Sequence, residues 1–167
     1  MDRRVGIVTG GCRGIGLAIA DRLAAAGSHV VIAARDTAAL AAARDRLAAR
    51  GCDCEAVVAD VGTPAGARAV IDTAVNRFGR VDILVNNAGD APLAPIPDTT
   101  DDVFDRCLRA NVASVFFCTR AVWPVMQAGD GEHPDAVRLP LVVGGLREDV
   151  HPGLRAAVHG EAGKRVN

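Results

Sequence analysis

Short apolar runs alternate with helix-period stretches along the first half of the chain, and this alternation restricts its possible folds more than any other feature. The stretches between the runs predict helices over residues 15–26 and 37–50, and from a Thr63 cap to near Gly79. The runs hold Val, Ile and Leu without polar alternation, which is typical of parallel strands buried on both faces. They are VGIVT (5–9), HVVIAA (29–34), CEAVVA (54–59) and VDILVN (81–86). The sequence therefore predicts an α/β fold with a doubly wound parallel sheet, incomplete at about four to five strands.

Two more helices are predicted after the fourth run, over residues 100–110 and 112–126. The composition then changes, because residues 127–167 contain no Ser, Thr, Ile, Phe, Tyr, Trp, Met or Cys. A fifth strand over residues 136–143 is restricted to an edge of the sheet, since the proline inside it has no N–H for a central ladder. We therefore expect one folded domain over residues 1–126, followed by an atypical and poorly ordered tail.

The stretch TGGCRGIG, residues 9–16, lies between the first predicted strand and the first predicted helix. In this setting Gly10 allows a tight turn, Gly14 lets a phosphate approach the backbone, and Gly16 lets helix and strand pack closely. The N-terminus of the helix then faces an anionic group. A turn without a ligand is the alternative, but the position between strand and helix favours a dinucleotide site. Its candidate residues here are Gly10, Gly11, Cys12, Arg13, Gly14, Ile15 and Gly16.

The charges after the second predicted strand indicate which dinucleotide is bound. A 2′-phosphate needs cations at the end of this strand, whereas a free 2′-hydroxyl needs a carboxylate acceptor. Arg35 follows the strand directly and is well placed to bind a phosphate with its guanidinium, and Arg13 is a second candidate. Asp36 is the counter-argument, as an acceptor for NAD or as the N-cap of the helix at Thr37, and we favour the cap. The sequence thus favours NADP over NAD.

Composition argues against several other kinds of partner. The formal net charge of −1, with both signs interspersed, favours neither nucleic acid nor an anionic membrane surface. No apolar stretch approaches the roughly 20 residues of a membrane span, and the N-terminus lacks the apolar segment of a secretory signal. We therefore expect a cytoplasmic protein.

Cysteine and histidine positions fit neither a disulfide framework nor a metal site. The 5 cysteines are odd in number and lie inside apolar elements or in the Cys52-Asp53-Cys54 stretch, which favours reduced thiols. His133, His151 and His159 do not have the spacing of metal ligands. We expect no bound metal.

Four motifs in order resemble the short-chain dehydrogenases/reductases, whose glycine pattern Thr-Gly-x-x-x-Gly-x-Gly is matched by TGGCRGIG. The other three are ADV (59–61), NNAG (86–89) and the asparagine in RANVASVFF, and together the motifs cover residues 4–126. The resemblance implies a Rossmann-like fold in which Asp60 accepts a hydrogen bond from the adenine amino group, with Val61 beside the ring. Without that resemblance, Asp60 is better explained as the cap of a turn. The remaining residues that the resemblance assigns to the cofactor are Asn87, Ala88 and Gly89.

The same resemblance implies hydride transfer between NADP(H) and a carbonyl or alcohol substrate, assisted by a Tyr, a Lys, a Ser and an Asn. Of these only Asn111 is found, as a catalytic residue that positions a relay water. A phenol of unperturbed pKa near 10 needs an adjacent cation to act near neutrality, and this chain contains no tyrosine. The only serines are Ser28 and Ser114, and the single lysine, Lys164, has Gly160 four residues before it.

Three interpretations follow for the chain as a whole. The first is an oxidoreductase by descent, truncated or frame-shifted after about residue 126, whose activity is in doubt. The second is an inactive module that binds a nucleotide or a second copy of itself through helices 100–110 and 112–126. The aromatic residues of the second helix suit an interface, but burial against the chain's own sheet explains them about as well. The third is a fragment without a function, because an incomplete parallel sheet leaves an unpaired edge strand. The first is favoured.

Overall fold

The structure, a computed structural model, describes residues 3–92 and 95–128. Its sheet has four parallel strands in the order β3-β2-β1-β4, with Ile7 of β1 aligned between Val31 of β2 and Leu84 of β4. This confirms the α/β prediction for the described residues, while the predicted strand over 136–143 lies outside them. The strands are β1 (Val5–Thr9), β2 (His29–Ala34), β3 (Cys54–Val58) and β4 (Ile83–Val85).

Helices follow each of the first three strands, and a longer helical stretch follows the fourth. Helices α1 and α2 pack on one face of the sheet with Val8 and Ile32, whereas α3 and α5 pack on the other face with Ile7 and Val31. Because both faces are covered, all the residues of β1 and the four central residues of β2 are buried, which explains why these runs show no polar alternation. The helices are α1 (Gly14–Ala25), α2 (Thr37–Ala48), α3 (Pro64–Phe78), α4 (Asp101–Leu108) and α5 (Ser114–Ala128).

Most predicted boundaries differ from the observed ones by one or two residues, as is usual at fraying ends. The larger difference concerns the two helices predicted over 100–110 and 112–126. They form one continuous helical stretch, in which a π-helical segment (Arg109–Ala113) joins α4 to α5. Asn111, inside this segment, donates from its side-chain nitrogen to the Cys107 carbonyl one turn earlier at 2.9 Å. Sequence periodicity gave no sign of the wider turn, because it differs from an α-helical turn by a single residue.

Side-chain caps begin three of these helices. The Asp36 carboxylate accepts from the Ala39 amide at 3.0 Å, Thr63 Oγ1 accepts from Gly66 at 3.1 Å, and Thr100 Oγ1 accepts from Val103 at 3.3 Å. The capping role favoured for Asp36 is therefore the one observed. Across the described ranges 3–92 and 95–128, α1 is the exception among α1 to α4, since Arg13 at its N-cap makes no side-chain cap hydrogen bond.

Candidate functional site

A cleft of about 990 Å³ opens along the carboxyl edge of the sheet. Its floor and walls come from the loops that follow β1, β2, β3 and β4, and from α4, the π segment and the first residue of α5. Parallel strands all end at this edge, so loops far apart in sequence meet there. The sequence-predicted residues that line the cleft are Gly10, Cys12, Arg13, Ile15, Gly16, Arg35, Asp60, Val61, Asn87, Ala88, Gly89 and Asn111.

Two predicted residues, Gly11 and Gly14, are not among the residues that line the cleft. Gly11 lies beneath it, where a Cβ atom would come within 2.7 Å of the Ile32 Cγ2 atom, so this glycine serves the packing of the core. Gly14 begins α1, and a Cβ atom there would meet no other atom within 4 Å. The space beside Gly14 is therefore open, as the approach of an anion to the helix N-terminus requires.

The turn between β1 and α1 is closed tightly at its base. Gly10 has φ of 65°, a left-handed conformation that glycine adopts without a Cβ penalty. A Cβ atom on Gly16 would overlap the Gly10 carbonyl oxygen and lie 2.5 Å from the Asn87 side-chain nitrogen. These contacts leave no room for a larger residue at Gly16, so the first turn of α1 sits directly against the end of β1.

Thr9 and Asn87 join the loop after β1 to the loop after β4. The Thr9 hydroxyl oxygen accepts from the amides of Asn87 and Ala88, each at 3.0 Å, and the Asn87 side-chain nitrogen donates to the Thr9 carbonyl at 2.9 Å. Thr9 is buried, so these bonds are protected from water. Sequence reasoning gave Thr9 no role; a hydroxyl at the end of an otherwise apolar strand was the available signal.

The N-terminus of α1 faces the cleft with positive partial charge and no carboxylate in its first turn. Two exposed guanidinium groups stand nearby, since Arg13 and Arg35 both line the cleft. In the part of the chain that the structure describes, neither forms an ion pair. This side of the cleft therefore combines unpaired cations with unused backbone donors, which is an arrangement that suits phosphate groups.

The loop after β3 presents Asp60 and Val61. One carboxylate oxygen of Asp60 accepts from the Gly62 amide at 2.9 Å, so Asp60 does cap its own turn. Its second oxygen has no hydrogen bond to any described residue. Val61 is buried at 8 % exposure and closes the cleft wall with an apolar surface. The capping explanation and the adenine-binding expectation for Asp60 are thus compatible.

Asn111 holds the turn that follows β4. Its side-chain nitrogen donates to the Asp90 carbonyl at 2.6 Å, and its side-chain oxygen accepts from the Asp90 amide at 3.3 Å. With the Cys107 carbonyl bonded as well, both donors of the side-chain amide are used by the backbone, which makes Asn111 a positioning residue in this structure. The catalytic role that the sequence predicted for it stays a prediction.

Five charged residues that sequence reasoning did not place in the site also line the cleft: Asp90, Asp102, Asp105, Arg106 and Arg109. The Arg106 Nε atom lies 3.0 Å from an Asp90 carboxylate oxygen. The signals available were the carboxylate directly after NNAG and two arginines, two and five residues before Asn111. They went unnoticed because their common location depends on the path of the chain.

The thiols of this chain are free where the structure describes them. Cys12 lines the cleft, whereas Cys118 lies on the buried side of α5, where burial raises its pKa to about 11. Burial and the nearby Cys52 and Glu55 raise the pKa of Cys54 to about 12.

Over residues 3–92 and 95–128, no three His, Cys, Asp or Glu side chains gather as metal ligands would. Within the same ranges no helix is both long and apolar enough to cross a bilayer.

Comparison with protein families gives a match of residues 4–133 to the short chain dehydrogenase family. A similar curated protein is the 3-oxoacyl-acyl-carrier-protein reductase of rhamnolipid biosynthesis from Pseudomonas aeruginosa, which is 40% identical over 135 residues. That alignment covers 80% of this chain and 52% of the relative. The chain spans about half the length of the curated relatives it matches.

Solved structures of the same family have a similar fold. L-sorbose reductase from Gluconobacter frateurii, complexed with NADPH and L-sorbose, superimposes with a TM-score of 0.72 and 35% identity over 77% of this chain and 51% of that chain. A short chain dehydrogenase/reductase from Burkholderia phymatum in complex with NAD gives a TM-score of 0.73 and 33% identity, over 75% and 44% of the two chains. The similarity thus extends to structures holding either nicotinamide dinucleotide.

Proposed function

Because this chain belongs to the short-chain dehydrogenase family, we propose that it binds NADP(H) in the cleft at the carboxyl edge of its sheet. It forms the nucleotide-binding half of an oxidoreductase site that acts on a carbonyl or alcohol substrate. When bound, NADP(H) supplies or accepts the hydride. Relatives named as a 3-oxoacyl reductase and an L-sorbose reductase support this substrate class, since both names describe carbonyl reduction.

One observation carries the proposal. Among α1 to α4 in the described ranges, only α1 begins without a side-chain cap, and it opens onto a cleft that also holds unpaired Arg13 and Arg35. A helix start that lacks a protein acceptor and is flanked by two guanidinium groups is suited to a phosphorylated ligand. A simple strand-to-helix turn gives no reason for the cap to be absent only here.

Further residues of the chain fit the rest of the cofactor. Arg35, directly after β2, suits the 2′-phosphate that distinguishes NADP from NAD. The free carboxylate oxygen of Asp60 suits the adenine amino group, and Val61 gives the ring an apolar surface. The turn of Asn87, Ala88 and Gly89, fixed by the buried Thr9 hydroxyl, suits the ribose and nicotinamide.

For these 167 residues alone we propose cofactor binding without turnover. The chain contains no tyrosine. Ser28 precedes β2 and therefore lies at the opposite edge of the sheet, while the Ser114 hydroxyl donates to the Ala110 carbonyl at 2.6 Å. The described cleft therefore offers no phenol and no free serine hydroxyl to hold a substrate oxygen or move a proton to it.

The chain also has a surface that suits self-association. Five large apolar side chains along α4, the π segment and α5 are exposed, four of them spaced four residues apart. Such a continuous apolar stripe on a helix marks an interface more often than isolated exposed residues do. We propose that two copies associate through this stripe, which consists of Phe104, Leu108, Val112, Phe116 and Trp123.

Arg35→Ala tests the cofactor assignment. We expect NADPH affinity to fall by about tenfold to a hundredfold, because a charge-assisted bond to a phosphate contributes about 1.5–3 kcal/mol. NADH affinity should change little, since NADH lacks the 2′-phosphate. Dissociation constants from calorimetry, with thermal unfolding in the presence of each dinucleotide, give the comparison.

Arg22→Ala is the matched control, because Arg22 is also exposed but lies in the last turn of α1, at the end away from the cleft. It should leave both affinities unchanged. Equal losses of NADPH and NADH affinity in Arg35→Ala would overturn the NADP assignment. A wild-type chain whose unfolding temperature is raised by neither dinucleotide would overturn cofactor binding itself.

A further inference from the structure

Arg109 is a charged residue of the cleft to which neither the motifs nor the proposed function gives a role. It begins the π segment and lines the cleft. Its neighbour Arg106 is paired with Asp90 at 3.0 Å, but Arg109 has no ion-pair partner among the residues that the structure describes. An unpaired guanidinium inside a binding cleft needs an explanation.

The stem of Arg109 is held in place by the loop after β3. Gly62 is buried, and a Cβ atom there would lie 3.0 Å from Arg109 Cγ and 3.2 Å from its carbonyl oxygen. Gly62 is itself fixed by its amide bond to the Asp60 carboxylate at 2.9 Å. The backbone of Arg109 is also held, because its carbonyl accepts from the Ser114 amide across the π turn. The side chain therefore starts from a fixed point beside Asp60.

The neighbours of Arg109 restrict what its guanidinium can contact. A Cβ atom on Gly62 would lie 3.1 Å from an Asp60 carboxylate oxygen and 3.0 Å from Arg109 Cγ, so these two side chains are close together, and Val61 precedes Gly62 in the chain. This part of the cleft therefore offers a carboxylate acceptor, an apolar side chain and a planar cation. A purine ring uses all three, because its amino group donates to a carboxylate and its faces accept apolar and guanidinium contacts. A phosphate would be repelled by the Asp60 carboxylate, which makes this position less suitable for it than that of Arg35.

We propose that Arg109 is an adenine-binding residue, whose guanidinium stacks on the ring while Asp60 accepts from its amino group. This inference rests on the proposed binding of NADP(H). It adds a contact to the part of the ligand that NADPH, NADH and ADP-ribose share. Arg109 and Arg35 are thereby predicted to act on different parts of one ligand.

Arg109→Met is the principal test, because methionine keeps the stem that packs on Gly62 and removes the planar cation. We expect it to weaken NADPH, NADH and ADP-ribose to the same degree, by about three- to tenfold, the range of a cation–π contact in a partly exposed site. The unfolding temperature without ligand should match that of the wild type. Arg109→Lys, which keeps the charge but not the planar group, should recover little of the lost affinity.

Arg35→Ala in the same titrations distinguishes this inference from the proposed function. That variant should lose NADPH affinity selectively, whereas Arg109→Met should lose affinity for all three ligands. Wild-type binding combined with unchanged affinities in Arg109→Met overturns the Arg109 inference alone. A loss confined to NADPH, or full recovery by lysine, overturns it too, because either would indicate a phosphate contact. A wild-type chain that binds none of the three ligands overturns both.

Discussion

At the scale of single residues, the absence of a side chain at Gly16 controls the turn after β1. Gly16→Ala would place a methyl group against the Gly10 carbonyl and 2.5 Å from the Asn87 side-chain nitrogen. Both contacts belong to the rigid base of the cleft, so relief requires α1 to move away from β1. We expect the free energy of unfolding to fall by about 1–3 kcal/mol, as overpacking typically costs, together with loss of NADPH binding. Urea unfolding and calorimetric titration measure the two effects.

Gly27→Ala is the matched control for that substitution. Gly27 follows the same helix at its other end, has φ of 84°, and a methyl group added there would have no atom within 4 Å. Alanine there costs about 1–2 kcal/mol of backbone strain without touching the cleft. Its NADPH affinity should equal that of the wild type at temperatures where the protein is folded. If Gly16→Ala also keeps wild-type affinity, the tight base of the turn is not needed for binding.

At the scale of elements, the exposed stripe of α4, the π segment and α5 predicts an interface between two copies. Phe116 is 56% exposed and lies under the Arg120 guanidinium, 4.9 Å from its ring centroid. Phe116→Glu would introduce a carboxylate beside Arg120, which the monomer tolerates and an apolar interface does not. We expect the dissociation constant of the dimer to rise about tenfold or more, as for other central aromatic anchors. Sedimentation velocity across a concentration series measures it.

Ile96→Glu controls for adding a charge to any exposed apolar position. Ile96 is 86% exposed but lies in the 3₁₀ turn before α4, outside the stripe. It should leave the dimer unchanged. A wild-type chain that stays monomeric throughout the series, or a Phe116→Glu variant that still dimerises normally, would contradict an interface through the stripe.

At the scale of the whole molecule, buried thiols predict a loss of stability in alkali. The ordinary pKa of a cysteine thiol is 9.0, and burial raises the pKa of Cys118 to about 11 in the folded protein. Its contribution is therefore fully present below pH 9 and is lost as the pH rises toward 11, because only the unfolded chain releases the proton. Cys118→Ala should make the free energy of unfolding fall less steeply across this range, by up to about 1.4 kcal/mol per pH unit. Urea unfolding at several pH values measures the slope.

The chain has no tyrosine and a single lysine, but Cys52 and Cys54, whose pKa values burial also raises, contribute to the wild-type slope in the same pH range. Cys118→Ala should therefore remove only part of that slope. Val122→Ala is the control, because Val122 is buried in the same core one turn further along α5. It should lower stability by about 2 kcal/mol at every pH while keeping the wild-type slope. An unchanged slope in Cys118→Ala would show that ionisation of this thiol does not contribute to the loss of stability in alkali.

Local sequence was sufficient to predict the elements, because strand burial, caps and turns depend on residues a few positions apart. The runs at 5–9 and 29–34 are strands with the predicted limits, and Thr63 and Asp36 cap the helices they precede. The π segment escaped this reasoning because its extra residue per turn leaves the apolar spacing nearly unchanged. The location of Arg106 and Arg109 beside the cleft escaped it, because the motif RANVASVFF assigns a function only to its asparagine and Arg106 precedes that motif.

By itself, the sequence determined the class of fold, the glycine turn and the family. These depend on apolar periodicity and on motifs of residues that are close together in the chain. Only the tertiary structure decided that β1 lies between β2 and β4 and that Thr9 joins Asn87, a partner 78 positions away. It also decided that Asn111 holds Asp90, which is 21 positions earlier. These pairings arise because parallel strands bring every carboxyl end to one edge of the sheet. The residues that line the cleft are therefore set by the path of the chain and its packing, and not by which residues are neighbours in sequence.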